Sequence, residues 1–327
     1  MEADRDRGTL HTPTRLTVGE YLDRWLRDLT GVGGRTREDY TNLVRRYLKP
    51  ALGTRRLAHL SPPLVREMLA DLTKRGLAPR TVSYARAVLR RALNQAVSDG
   101  VILTNPAAGH GLVPKLERRE MQVLSAAQVH GLITATADDP HGPLWTVLLT
   151  TGVRPSEALA LRWSDLRRSE LRVTRKLRRP ANSGTWVMED VKTAKGRRVV
   201  PLVPLAVDAL TRQRDRQAVE KLVAGDGYTD AGLVFADPRG NPLRADGLYK
   251  YHWQPMLTRL KLPPVRLYDA RHSAATMFLE AGVPMKVVQD VLGHSSMAVT
   301  ADIYSHVTPA FKRQAADALA EYLERAQ

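Results

Sequence analysis

Apolar positions in the first hundred residues recur with the period of an α-helix. Thr17 and Glu20 make a Thr-x-x-Glu capping box, and Val18, Tyr21, Leu22, Trp25, Leu26 and Leu29 follow at helical spacing until Gly31, Gly33 and Gly34. A second helix is predicted from about Thr36 to Leu48, with Tyr40, Leu43, Val44 and Tyr47 on one face and Pro50 as its stop. Ser61, with Pro62 and Pro63 in the first turn, opens a third that fades at Gly76. A fourth, from about Arg80 to Asp99, turns Val82, Ala85, Leu89, Ala92, Leu93 and Ala96 inward. It leaves Arg80, Arg86, Arg90 and Arg91 facing outward. Such a set makes a small helical bundle, residues 14–106, preceded by a disordered tail, 1–13.

Asn105-Pro106 breaks the pattern. Residues 107–119 carry Gly109, Gly111, Pro114, Lys115, Arg118 and Arg119 without an apolar period and read as a linker. The second domain, 120–327, opens with a Ser125-x-x-Gln128 cap, and helices through Leu132 and from Leu144 to Leu149 lead to Gly152, a left-handed helix end. Pro155 starts the next helix, Ser156 to Leu161, so Arg154 sits in a turn fixed on both sides. From Leu171 to Pro201 short β-prone pieces replace the helical period: Leu171 to Val173, Trp186 to Met188, Val199 to Val200. Lys192 to Gly196 lies where a hairpin should turn. Helices return from about Leu205 to Leu222 and Ala245 to Leu260, with a short strand at Leu233 to Phe235 between them. After Pro263-Pro264 comes the helix carrying Arg271, ending at Gly282, and then Met285 to Leu292, ending at Gly293. The last residues place Phe311, Ala315, Ala318, Leu319 and Tyr322 at helical spacing.

At 327 residues and 43% hydrophobic, the chain can bury a core in each of two domains. A net charge of +16 points to a polyanionic partner, nucleic acid first, and makes the linker suited to a phosphate backbone. With no cysteine, disulfides and thiolate chemistry are excluded. No apolar run is long enough to span a membrane and no secretory signal opens the chain, so the expected location is cytoplasmic. No phosphate-cradling loop, His-Glu-x-x-His pair or acidic cluster is present, so no metal or other cofactor is expected.

Candidate chemistry lies in four segments: Thr151-Gly152-Val153-Arg154, Tyr268-Asp269-Ala270-Arg271-His272, Leu292-Gly293-His294-Ser295 and Ile303-Tyr304-Ser305-His306. Two guanidiniums can each donate paired hydrogen bonds to one phosphodiester and stabilise the charge that builds as a nucleophile approaches phosphorus. A phenol placed after them reads as that nucleophile.

These segments, in this order and at these separations, resemble the C-terminal boxes of the tyrosine recombinases, the phage integrase family, and the resemblance runs from about Thr14 to the end. It implies a fold that is mainly α with a small antiparallel β-sheet: a SAM-like helical core-binding domain followed by a mixed α/β catalytic domain. It implies a site-specific recombinase acting on double-stranded DNA for a mobile element. In that reading Tyr304 attacks the phosphate, Arg154, Arg271 and His294 stabilise the pentacovalent state, and Lys192 protonates the leaving 5′-oxygen, with Lys195 the alternative lysine. Glu157 and Asp269 would orient the arginines, and His272 falls where the family commonly has a structural histidine. Tyr268 departs from the usual His-x-x-Arg and leaves the general base open. A homo-tetramer on DNA, assisted by an accessory excision or DNA-bending factor at the bacterial nucleoid, is the implied assembly. Family members that integrate phage or conjugative elements often carry a further N-terminal domain for arm sites, and this chain is expected to lack one. A type IB topoisomerase and a decayed, non-cleaving DNA-binding copy remain as alternatives.

Overall fold

Chain contacts separate into two units, Met1–Arg119 and Glu120–Gln327, in a computed structural model that describes residues 15–109, 122–179, 186–191, 196–294, 296–297, 301 and 323–324. The expected tail, Lys115, Arg118 and Arg119 of the linker, Lys192, Lys195, Tyr304 and the apolar period from Phe311 to Tyr322 lie outside the described residues.

In the first unit, α1 (Val18–Asp28) starts at the expected box, with Thr17 Oγ1 accepting from the Glu20 amide at 3.2 Å and Glu20 Oε2 accepting from the Thr17 amide at 2.8 Å. Gly33 caps α2 (Gly34–Leu43) and Gly34 begins it, so these two glycines start a helix where they were expected to end one. Pro50 does not stop the chain either. A π-helical turn, Val44–Leu48, carries α2 into α3 (Lys49–Leu52), and Pro50 sits in the first turn of α3, where its missing N–H costs no bond. α4 (Pro62–Lys74) and α5 (Pro79–Ser98) complete the bundle. Leu22, Leu48, Leu57, Leu72, Leu89 and Leu93 are fully buried at its centre, and burying each stabilises by about 1.5–3 kcal/mol. Tyr21 donates from its hydroxyl to the Ala92 carbonyl at 3.1 Å, tying α1 to α5.

Of the four α5 arginines, Arg80, Arg90 and Arg91 are exposed. Arg86 was expected to face outward, but it is half-buried and its Nη2 donates to the carbonyls of Ala107, Ala108 and Gly109. Helix carbonyls being already paired, the segment after Pro106 must find its donors among side chains, and Arg86 supplies one.

The second unit is built around α7 (Gly142–Thr151), buried on nearly all sides through Leu144, Trp145, Val147, Leu148 and Leu149. Beside it lie α6 (Ala126–Ala135), capped by Ser125 and Gln128, α9 (Pro204–Ala224) and α12 (Ala270–Glu280). α8 (Pro155–Ala158) is shorter than expected. α10 (Ala245–Leu248) passes through a π-helical turn, Tyr249–Trp253, into α11 (Gln254–Arg259), absorbing Pro255 as the first unit absorbs Pro50. α13 (Met285–Leu292) ends on left-handed Gly293, φ 67°.

Two small antiparallel sheets flank the helices. One has β1 (Leu166–Arg167), β2 (Glu170–Val173) and β5 (Arg198–Pro201) in the order β1-β2-β5, and the other pairs β3 (Arg175–Arg178) with β4 (Val187–Asp190). Register corrects the expected hairpin. Val173 pairs with Arg198 and Arg175 with Asp190, while the Val191 amide donates to the Thr174 carbonyl at 3.1 Å. β4 and β5 therefore do not pair with each other: β4 pairs with β3 and β5 with β2.

Leu233 to Phe235 is buried but is not a strand. Leu233 makes an isolated bridge to Arg162, and the Leu233 and Val234 carbonyls accept from Gln217 and Gln213 of α9 at 3.0 and 2.8 Å, taking the place of a neighbouring strand. The fold is mainly α with small antiparallel sheets, as expected. Among the described residues no helix is long and apolar enough to cross a membrane.

Candidate active site

Gly152 closes α7 with φ 65°, and a Cβ there would come within 2.4 Å of Leu292 Cδ2. Only glycine serves both the backbone angle and the close approach. Arg154 follows as the N-cap of α8: its amide donates to Glu157 Oε2 at 3.0 Å and its Nη1 to Glu157 Oε1 at 2.7 Å. Glu157 is thus a partner of Arg154.

Arg271 stands in the first turn of α12 and is 1% exposed. Its Nη1 donates to the Gly152 carbonyl at 2.8 Å and its Nη2 to the Leu292 carbonyl at 2.7 Å, while its buried Nε has no partner among the described residues. Arg198, on β5, donates from Nε to the Val291 carbonyl at 2.7 Å, and Arg154 Nη2 reaches the Gly293 carbonyl at 3.4 Å. Three consecutive carbonyls, Val291, Leu292 and Gly293, therefore accept from three arginines of three separate segments. These are the acceptors a helix C-terminus leaves open, at the negative end of its dipole. His294 comes next in the chain, 6% exposed, its amide donating to the Gln289 carbonyl at 3.1 Å and its own carbonyl accepting from Gln289 Nε2 at 3.2 Å.

Positive charge exceeds negative charge in this pocket. Burial, and then the neighbouring Arg154 and Arg198, depress the pKa of Arg271. Burial works against Arg154 too, but the Glu157 carboxylate and the Tyr268 hydroxyl more than offset it, and its pKa is raised. Burial would raise Glu157, yet Arg198 and Arg154 hold it below the usual carboxylate range. Burial, and then Arg271, Arg154, His272 and Arg198, push His294 down to about 4, so at neutral pH its imidazole is uncharged, with one N–H to donate. Two guanidiniums, Arg154 and Arg198, share one buried carboxylate with a third, Arg271, beside them, an arrangement that an anionic ligand would balance.

Tyr268 lies in the 3₁₀ turn Leu267–Asp269 ahead of α12 and is 45% exposed. Its hydroxyl is near enough to Arg154 to help raise that guanidinium's pKa, and its ring meets His272 edge-on at 5.6 Å. Tyr268 and His272 thus sit side by side, while Arg271 turns into the core. Burial, opposed by Asp269, lowers the pKa of His272.

Asp269 does not orient Arg271. Its carboxylate holds Arg266, accepting from Nε at 2.7 Å and Nη2 at 3.0 Å, because it closes the turn that Arg266 begins. Backbone carbonyls orient Arg271 instead. Arg198 was missed by sequence reasoning, although a signal existed: β5 alternates buried Arg198 and Val200 with exposed Val199 and Pro201, which puts an arginine on an inward face.

Residues 122–310, more than half of the chain, match the Phage integrase family. The chain belongs to this family, the tyrosine recombinases. It is 29% identical to a tyrosine recombinase XerC-like protein of Caldanaerobacter subterraneus subsp. tengcongensis, over 93% of this chain and 83% of that one. Among solved structures it resembles the Tn1549 transposon integrase bound to transposon right end DNA, with a TM-score of 0.80 and 22% identity, over 93% of this chain and all of that one. It also resembles a lambda integrase tetramer bound to a Holliday junction, with a TM-score of 0.65 and 18% identity, over 91% of this chain and 80% of that one.

Proposed function

We propose that this tyrosine site-specific recombinase cuts and rejoins duplex DNA through Tyr304, with the scissile phosphodiester held by Arg154, Arg271 and His294. The observation that carries the reading is the convergence of the guanidiniums around His294, with more positive charge than Glu157 balances. Arg154 and Arg271 retain unused N–H groups for the non-bridging oxygens, and neutral His294 donates to the oxyanion. The Tyr304 oxygen bonds to phosphorus as the bond to the 5′-oxygen breaks, giving a 3′-phosphotyrosyl ester and a 5′-hydroxyl. Tyr268 or His272 would receive the phenol proton, and Lys192 would protonate the leaving oxygen. One phosphoester replaces another, so a 5′-hydroxyl of a second duplex reverses the step without ATP.

Both domains, 14–106 and 120–327, would contact DNA, the first through Arg80, Arg90 and Arg91 and the linker 107–119 through Lys115, Arg118 and Arg119, which makes binding salt-dependent. By analogy with the transposon integrase and the lambda integrase tetramer, the partners are two recombination sites of a mobile element and three further copies of the chain. An accessory excision or bending factor would act with them, at the bacterial nucleoid.

A nicked suicide duplex that loses its 5′-hydroxyl fragment tests the reading, because the covalent complex then accumulates. The DNA-linked peptide is expected to contain Tyr304, and Tyr304→Phe to form no adduct, in EDTA as in buffer. An adduct at another residue, or one that persists in Tyr304→Phe, overturns the assignment.

A further inference from the structure

Arg198 is buried in this pocket, as Arg271 is, yet it is not built to touch a substrate. Its side chain is 5% exposed, and each of its three nitrogens already has an acceptor: Nε the Val291 carbonyl at 2.7 Å, Nη1 the Gly196 carbonyl at 3.3 Å, Nη2 Glu157 Oε2 at 2.8 Å. Arg154, by contrast, is 31% exposed and spends one short bond on Glu157 and a 3.4 Å contact on Gly293.

Glu157 is where the two arginines meet. Its side chain is 3% exposed; Oε1 accepts from Arg154, and Oε2 from Arg198 and from the Arg154 amide. Arg198 thus holds Oε2 from the β5 side, and Oε1 is left to the Arg154 guanidinium. Through Nε the same guanidinium grips the end of α13, three residues before His294. A carboxylate held by one partner can swing with it, whereas one also held from behind by a guanidinium that is itself anchored on the Val291 and Gly196 carbonyls cannot.

We propose that Arg198 is a positioning residue, which fixes Glu157 from behind so that the Arg154 guanidinium and the His294 turn face one phosphodiester in a single register. The proposal rests on the reading of Arg154 and His294 as a phosphate clamp. Lysine would keep the charge but not the span, because an ammonium is a point donor and the three acceptors belong to different segments.

A double-mutant cycle on single-turnover cleavage of the suicide duplex, at saturating DNA, tests this. The variants are Arg198→Gln, Glu157→Gln and the pair together, with denaturant unfolding run alongside so that rates refer to folded protein. Arg198→Gln is expected to slow cleavage by about 10- to 100-fold. In the Glu157→Gln background the same change should cost less than about 3-fold, because the link it serves is already cut. Arg198→Lys should fall between wild type and Arg198→Gln, and it replaces Arg198→Gln in the cycle if that variant does not fold. A merely structural role would lower unfolding stability and leave the rate of the folded protein unchanged. That result, or losses that multiply in the double variant, overturns the proposal. Failure of wild type itself to form the Tyr304 adduct would instead remove the clamp reading on which the proposal stands.

Discussion

Arg271 donates from Nη2 to the carbonyl of Leu292 at 2.7 Å, two residues before His294, and its Nη1 holds the carbonyl of Gly152, two residues before Arg154. One buried side chain therefore sets the turn that carries Arg154 and the turn that carries His294. Anything that moves Gly152 or Leu292 should disturb both.

Gly152→Ala is the sharpest local probe of that arrangement. The new Cβ would meet Leu292 Cδ2 at 2.4 Å and Ala274 Cβ at 3.4 Å, at φ 65°. Overpacking of this kind costs about 1–3 kcal/mol, with left-handed strain of about 1–2 kcal/mol added. Denaturant unfolding should show the loss, and cleavage by the remaining folded protein should fall as Leu292 shifts the acceptor of Arg271. Gly131→Ala is the control: nothing lies within 4 Å of its Cβ and its φ is ordinary, so it should change stability by no more than about 1 kcal/mol. Equal stability of the two variants would show that the Gly152 turn is not tightly packed against Leu292.

Tyr268 lies beside His272 and acts on Arg154 without being buried, so its removal should be felt in rate more than in stability. Loss of one uncharged hydrogen bond, worth about 0.5–1.5 kcal/mol, slows a step by roughly 2- to 13-fold if the bond is made only in the transition state. Tyr268→Phe is expected in that range, and Tyr268→His should remain active. If wild type bound its site without cleaving while Tyr268→His cleaved, the protein would be a decayed recombinase that retains only DNA binding.

Stability should fall on mild acidification. His294 and His141 both have pKa values pushed from 6.5 to about 4, in each case chiefly by burial. Both are therefore neutral in the folded protein over a window in which the unfolded chain takes up protons. Between about pH 6.5 and pH 4 the unfolded state binds more protons, so unfolding becomes easier as pH drops. His141 is the better handle because it lies outside the cluster, stacked on Trp145 and 4.1 Å from the His252 ring. His141→Phe should melt with a shallower dependence on pH than wild type, and an unchanged slope would assign the acid sensitivity to other groups.

Much of this was legible in the chain because short-range rules governed it. The Thr17 and Ser125 boxes, the Gly152 and Gly293 helix ends and the inward face of α5 each depend on residues within one or two turns. The failures are long-range. β5 pairs with β2 rather than with its sequence neighbour β4, and the Arg271 acceptors lie in two other segments. Pro50 misled for a different reason, since a π-helical turn lets a helix continue where proline alone argues for a stop. Arg198 was hidden because its strand is four residues long and its neighbour Arg197 made it look like part of a solvated charge run.

The choice between Lys192 and Lys195 as general acid turns on the leaving group. Both fall between β4 and β5, close in sequence to Arg198, and neither composition nor register separates them. A general acid contributes about 10²- to 10⁴-fold by protonating the departing oxygen. Replacing the bridging 5′-oxygen with sulfur makes that proton dispensable, because a thiol has a pKa of about 8.5 and leaves as the thiolate. Lys192→Ala should therefore cleave the natural duplex poorly and the sulfur-bridged duplex nearly as well as wild type. Arg154→Ala, which lacks charge stabilisation at the non-bridging oxygens, should gain no comparable rescue. If Lys195→Ala is the variant that sulfur restores, the general acid is Lys195; if sulfur restores neither, the proton comes from another group and the lysine assignment falls.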